Sequence, residues 1–110
     1  MSMGNRFGLR PDDLTTINGV LARYPAIKTA LIFGSRAKGN YKPGSDVDIA
    51  LQGDGVTDRM AADIAFTLNE ETIMPYHFDV LNYHTIANPD LVAHIDRVGR
   101  PFYTVPLQSR

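Results

Sequence analysis

Three aspartates stand where strands should be apolar. Asp46 and Asp48 alternate with Val47, Ile49 and Leu51 in "DVDIALQ", and Asp79 sits between Phe78 and Val80 in "HFDVLN". Residues i and i+2 of a strand share a face, so Asp46 and Asp48 project together and the aliphatic residues take the other side. Aspartate is depleted in strands. Two ionised carboxylates about 4 Å apart repel by roughly 4 kcal/mol at an effective dielectric near 20. A divalent cation is the simplest offset, because hard cations such as Mg²⁺ take one or two carboxylates together with phosphate oxygens. If the Asp79 strand lies beside the Asp46–Asp48 strand, three carboxylates converge. Three carboxylates can hold two metals in the arrangement used for in-line displacement at phosphorus. The competing reading, surface acids or strand-end acids bound to an arginine, weighs most for the single Asp79.

A second group of residues suits an anion. Gly34-Ser35 follows the apolar run "AIKTALIF" and precedes "RAKG". Glycine lets a backbone approach a ligand closely. Exposed N–H groups and a serine hydroxyl at a helix start suit phosphate oxygens. Arg36, Lys38 and Lys42 add positive charge. An anion site beside a cation site is what a metal-bound nucleoside triphosphate requires. A Gly-Ser pair alone is weak; "GSRAKG" followed by "GSDVDIAL" is far more specific.

These groups need elements to hold them. Pro11, Asp12 and Asp13 make a helix start, with proline early and acids at the positive end of the dipole. Leu14, Ile17 and Leu21 recur at helical spacing, and Pro25 stops the helix after Tyr24. Ala26 to Phe33 reads as a buried strand ended by Gly34-Ser35. "RAKG" forms a short helical turn closed by Gly39, and Pro43-Gly44 marks a loop. Asp46 to Gln52 is the second strand. Thr57 or Asp58 caps a helix whose stripe is Ala61, Ile64, Ala65 and Leu68 and which ends by Pro75. His77 to Asn82 is the third strand. Asn88-Pro89-Asp90 starts a last helix with Leu91, Ile95 and Val98 on one face, and "FYTV" is a short final strand. The expected architecture is α/β (α+β): a small mixed sheet flanked by helices. Residues 52 to 77 are long enough for a helical crossover.

Length and composition bound the function. The 110 residues fit one domain, 1–110, with about 1–10 and 105–110 the loosest parts. Eleven basic residues nearly balance twelve acidic ones, and the net charge of -1 argues against a broad nucleic-acid footprint. The chain has no cysteine, hence no disulfide framework and no thiolate metal site, which is compatible with the cytoplasm. No apolar run approaches the roughly 20 residues needed to span a bilayer. "MSMGNRFGLR" lacks the apolar core of a secretory signal.

The pair "GSRAKG…GSDVDIAL", with a third aspartate on a later strand, resembles the signature of the DNA polymerase β-like nucleotidyltransferase superfamily. The wording and short length look most like its minimal nucleotidyltransferases, the MNT family. The tight motif covers Gly34 to Leu51, and the element order extends the likeness over nearly the whole chain. The resemblance implies that Gly34 and Ser35 bind the triphosphate and that Asp46, Asp48 and Asp79 bind Mg²⁺ or Mn²⁺ and carry catalysis. It implies a phosphate contact for Ser45, and places Arg36 and Lys38 at the family's basic nucleotide-binding positions. Lys38 stands where arginine is common, which keeps the charge and loses the planar fork. The implied reaction is attack of an acceptor hydroxyl on the α-phosphorus of ATP, with loss of pyrophosphate. Members of this family work with a separate helical HEPN protein as a type VII-like toxin–antitoxin module, adenylylating a tyrosine of the HEPN ribonuclease. A HEPN-type partner, a tyrosine acceptor and a cytoplasmic location are therefore expected. Larger relatives add a helical domain for the acceptor, and 110 residues leave no room for one.

Two other functions compete: a non-catalytic partner that neutralises a helical protein by binding, and a transferase acting on an aminoglycoside-type small molecule with a second chain. A polymerase is disfavoured by the short chain. Among the remaining polar residues, His77 shares a strand face with Asp79. His84 and His94 lack metal-ligand spacing, and His94 reads as a helix-surface residue. Glu70 and Glu71 read as a solvated helix face. Tyr41 and Tyr76 are more simply turn packing than base-stacking platforms, and "MPYHF" is more simply core than a partner surface.

Overall fold

The computed structural model describes residues 6–105. The order of elements is α1 (Pro11–Leu21), β1 (Thr29–Phe33), α2 (Ser35–Lys38), β2 (Val47–Gln52), α3 (Asp58–Glu70), β3 (Phe78–Asn82), a 3₁₀ turn (Tyr83–Thr85), α4 (Pro89–Val98) and β4 (Arg100–Thr104). The sheet runs β3-β2-β1-β4. β1 is antiparallel to β2 and β4, and β2 is parallel to β3. A parallel pair needs a crossover, and α3 supplies it.

The helix starts follow local chemistry. The Thr57 hydroxyl accepts from the Met60 N–H at 3.1 Å and caps α3. The Asn88 side chain accepts from the Asp90 N–H at 2.8 Å, with Pro89 opening α4. At α1 the cap position is Arg10, whose backbone N–H donates to Asp13 at 3.1 Å. α1 is regular only to Leu21, because the Arg23 and Tyr24 N–H groups turn back to Val20 and Leu21. β1 begins at Thr29 rather than Ala26, since the Ile27 N–H is taken by the Tyr24 carbonyl. β4 starts earlier than "FYTV". Arg100 and Pro101 already pair with Ile32 and Leu31, and the sheet-edge position tolerates the proline. The 3₁₀ turn was not expected.

Alternation sorts the sheet into two faces. Ala30, Ile32, Val47, Ile49, Leu51 and Phe78 pack against α1 (Ile17, Val20, Leu21) and α3 (Ala61, Ile64, Leu68) in the main core. On the other face Phe33 and Ala50 pack with Ile95 of α4, joined by Leu31, Leu81, Leu91 and Val98. Asp48 and Asp79 share this second face with Ala50 and Leu81. Of the ends expected to be loose, about 1–10 and 105–110, residues 1–5 and 106–110 lie outside the described residues. Leu9 is fully buried, so the chain is folded onto the core from the Arg6–Leu9 turn onward. No helix among the described residues is long and apolar enough to cross a membrane.

Candidate active site

One register pair makes the site. In β1, β2 and β3, Phe33 pairs with Asp48 and Asp48 pairs with Asp79, so the two acids are lateral neighbours at the start of parallel strands. Asp46 immediately precedes β2. Asp46 and Asp79 are exposed and Asp48 is half-buried. The Asp48 carboxyl is held above its ordinary range by burial, then by the negative charges of Asp79 and Asp46; His77 and Arg36 pull the other way. His77 reaches Asp79, Nε2 to Oδ1 at 3.4 Å.

The Gly34 turn closes on the same point. Gly34 has φ +74°, a conformation open to glycine. A Cβ there would run into the Asp48 carboxylate. β1 therefore delivers the turn directly against the acid of β2, and Ser35 opens α2 beside it. Gly39 ends α2 in the left-handed conformation, as the sequence implied.

Arg36 departs from its expected nucleotide-binding place. It is only 2% exposed. Its Nε and Nη2 donate to the Ser45 carbonyl at 3.2 and 2.9 Å, Nη2 also to Pro43 O at 3.3 Å, and Nη1 to Phe7 O at 2.8 Å. A guanidinium with its donors committed to carbonyls and almost no open surface is framework. The sequence pattern marked a basic position but could not show which way the side chain turns. Ser45 is the hub on the other side: its hydroxyl accepts from the Lys42 N–H at 2.8 Å. Lys38 and Lys42 are exposed.

The donor set is all oxygen, as Mg²⁺ or Mn²⁺ requires. Like charges crowding Asp48 are what a cation would relieve. Among the described residues, no three His, Asp, Glu or Cys side chains already stand close enough to enclose an ion. One or two carboxylates together with substrate phosphate oxygens is a usual ligand set for such a cation.

The sequence profile of the family described as Polymerase beta, Nucleotidyltransferase matches residues 15–105. The chain belongs to that family. It is 29% identical over 77 residues to the probable protein adenylyltransferase MntA of Haemophilus influenzae, covering 70% of this chain and 68% of that protein. Its fold is similar to a chain in the crystal structure of a toxin–antitoxin with AMP-PNP (TM-score 0.68, 17% identity, 88% of this chain and 75% of that one). It is also similar to a chain of the complex of a tri-AMPylated Shewanella oneidensis HEPN toxin with its MNT antitoxin (TM-score 0.64, 17% identity, 84% and 71%). At such identities the likeness is one of fold.

Other residues of this nucleotidyltransferase take supporting parts. Tyr41 and Tyr76 flank the Arg36 guanidinium at 5.2 and 5.0 Å from their ring centres, so both are packing residues. Tyr76 also donates to Asp13 at 2.8 Å. His84 accepts from the Gly53 N–H at 2.9 Å. His94 is half-buried, edge-on to Phe33 at 6.2 Å, rather than a free surface residue. In "MPYHF", Met74, Tyr76 and Phe78 pack on the main core. Glu70 and Glu71 are exposed.

Two site supports had no sequence signal. Asn69 of α3 donates to Phe78 O at 2.9 Å and accepts from Phe78 N at 2.8 Å, pinning the outer edge of β3 next to Asp79. Asp13, 2% exposed, joins Tyr76 to Arg10. A lone Asn on a helix and an acid in a helix's first turn are too common to stand out.

Proposed function

We propose that this nucleotidyltransferase moves AMP from ATP, with Mg²⁺ or Mn²⁺, to a tyrosine hydroxyl of a helical HEPN-type toxin, as the adenylylating antitoxin of a pair. The observation that carries the chemistry is the Asp48–Asp79 register pair with the Gly34 turn against Asp48. The names of the similar proteins support adenylyl transfer to a protein and a HEPN partner.

Gly34 and Ser35 hold the triphosphate, and Lys38 and the Ser45 region add positive charge and hydrogen-bonding groups at its edge. Asp46, Asp48 and Asp79 hold the metal. When bound, the metal draws charge from the phosphate oxygens and favours ionisation of the acceptor hydroxyl. Asp79 is exposed and accepts the tyrosine proton. The tyrosine oxygen forms a bond to the α-phosphorus, the bond from the α-phosphorus to its bridging oxygen breaks, and pyrophosphate leaves. The remaining contribution is alignment of the acceptor and nucleotide.

The test is incubation with α-labelled ATP, Mg²⁺ and a HEPN-type partner or lysate, beside an Asp46→Asn/Asp48→Asn control. Label on one protein band, absent in the control and mapped to tyrosine, is the expected result. Co-purification of both forms with a helical partner and no transfer would replace it with an antitoxin that acts by binding alone.

A further inference from the structure

Arg36 is a buried charge without a carboxylate partner among the described residues. Its four hydrogen bonds all go to main-chain carbonyls, and the guanidinium lies over the rings of two tyrosines, Tyr41 and Tyr76. Burying a cation this way is costly unless every donor is met. The residues it grips say what the arrangement holds. Nε and Nη2 converge on one atom, the carbonyl oxygen of Ser45. That carbonyl belongs to the peptide leading into Asp46, so the two-pronged contact fixes the peptide plane from which Asp46 projects. Arg36 itself lies two residues after Gly34. Its third contact, Phe7 O at 2.8 Å, brings in the Arg6–Leu9 turn. There Gly8, at φ +75°, lies so close that a Cβ would strike Tyr41 and Arg36. Tyr76 in turn is tied through Asp13 to the start of α1.

We propose that Arg36 is a positioning residue: through the Ser45 carbonyl it locks the Gly34–Ser35 turn to the segment that presents Asp46, and so sets Asp46 for its cation without touching the nucleotide. This rests on the metal-dependent reading above. Geometry, not charge, is the requirement, because a lysine ammonium cannot reproduce the planar fork.

The test uses the full chain as wild type, Arg36→Lys and Tyr41→Ala, with Tyr41→Phe as control. Mn²⁺ affinity is titrated by electron paramagnetic resonance in the presence of a non-hydrolysable ATP analogue, which supplies the phosphate oxygens of the site. Thermal melting, kcat and KM for ATP are measured in parallel. Arg36→Lys should melt cooperatively, weaken Mn²⁺ binding and lower kcat by about 10- to 100-fold. KM for ATP should stay within about threefold, because no ground-state nucleotide contact is lost. Tyr41→Ala, which loosens the cradle while keeping the arginine, should shift Mn²⁺ affinity in the same direction; Tyr41→Phe should not. If Arg36→Lys does not fold, the Tyr41 pair decides. Wild-type Mn²⁺ affinity in Arg36→Lys overturns the proposal, as does a raised KM with kcat intact, which would return Arg36 to the nucleotide. So does a wild-type chain that binds no Mn²⁺. A wild type that binds Mn²⁺ but transfers no AMP overturns the proposed function and leaves the Mn²⁺ comparison to judge Arg36.

Discussion

Asp48 and Asp79 face each other across a parallel strand pair, each at the start of its strand and each on the sheet face away from the main core. Their mutual repulsion adds to the partial burial of Asp48 and raises its pKa. The folded chain therefore carries an electrostatic cost at its candidate active site.

Asp48→Asn should remove that cost together with the activity. We expect AMP transfer to fall by at least ~100-fold, because the proposed metal site loses a carboxylate. The metal-free melting temperature should rise above that of the wild type. Differential scanning calorimetry beside the labelled-ATP assay checks both halves; a variant less stable than wild type would contradict the electrostatic account.

The pH dependence follows with a definite sign. A carboxyl whose folded pKa is raised binds its proton more tightly when folded, so stability falls as pH rises from the ordinary aspartate range through the folded value. The melting-temperature gap between Asp48→Asn and wild type should be open at neutral pH and close below the ordinary aspartate range. Mn²⁺ should narrow it at neutral pH by stabilising only the wild type. Melts across pH with and without metal measure this.

Asp13 should behave oppositely. Burial pushes its carboxyl up, but hydrogen bonds from Tyr76 and Arg10 outweigh that and hold it below the ordinary range. Its stabilisation is present above the unfolded pKa and is lost as pH falls through the folded one. Asp13→Ala should cost about 1–3 kcal/mol at neutral pH by leaving the Tyr76 hydroxyl unpaired. Urea unfolding at two pH values reads this, and the variant should lose less stability than the wild type on acidification.

Gly34→Ala tests the close approach of turn and acid. A side chain at φ +74° beside the Asp48 carboxylate should cost roughly 1–3 kcal/mol and displace Asp48. Transfer should be lost while the far-ultraviolet circular dichroism stays that of a folded α/β protein. Full activity would show that the turn and the acid are not in contact.

Much of this was legible along the chain. Alternation in "DVDIALQ" and "HFDVLN" placed Asp48 and Asp79 on strands, with Asp46 one residue before its strand rather than on it, 3.6-residue periodicity placed α1, α3 and α4, and glycine and proline marked the turns. Such signals are local: they depend on backbone geometry that each residue's neighbours already decide. The motif from Gly34 to Leu51 also named its family, because turn and acids are consecutive elements. What the linear order left open was decided by tertiary packing. The sheet order put β3 beside β2 and brought Asp79 level with Asp48 across 31 residues of chain. The direction of one side chain put Arg36, expected at the nucleotide, against the Ser45 carbonyl. Hydrogen bonds between distant segments, such as Asn69 to Phe78 and Tyr76 to Asp13, hold the site's edges. Residue types state what an atom can bond to; only the folded chain states which atom stands within reach.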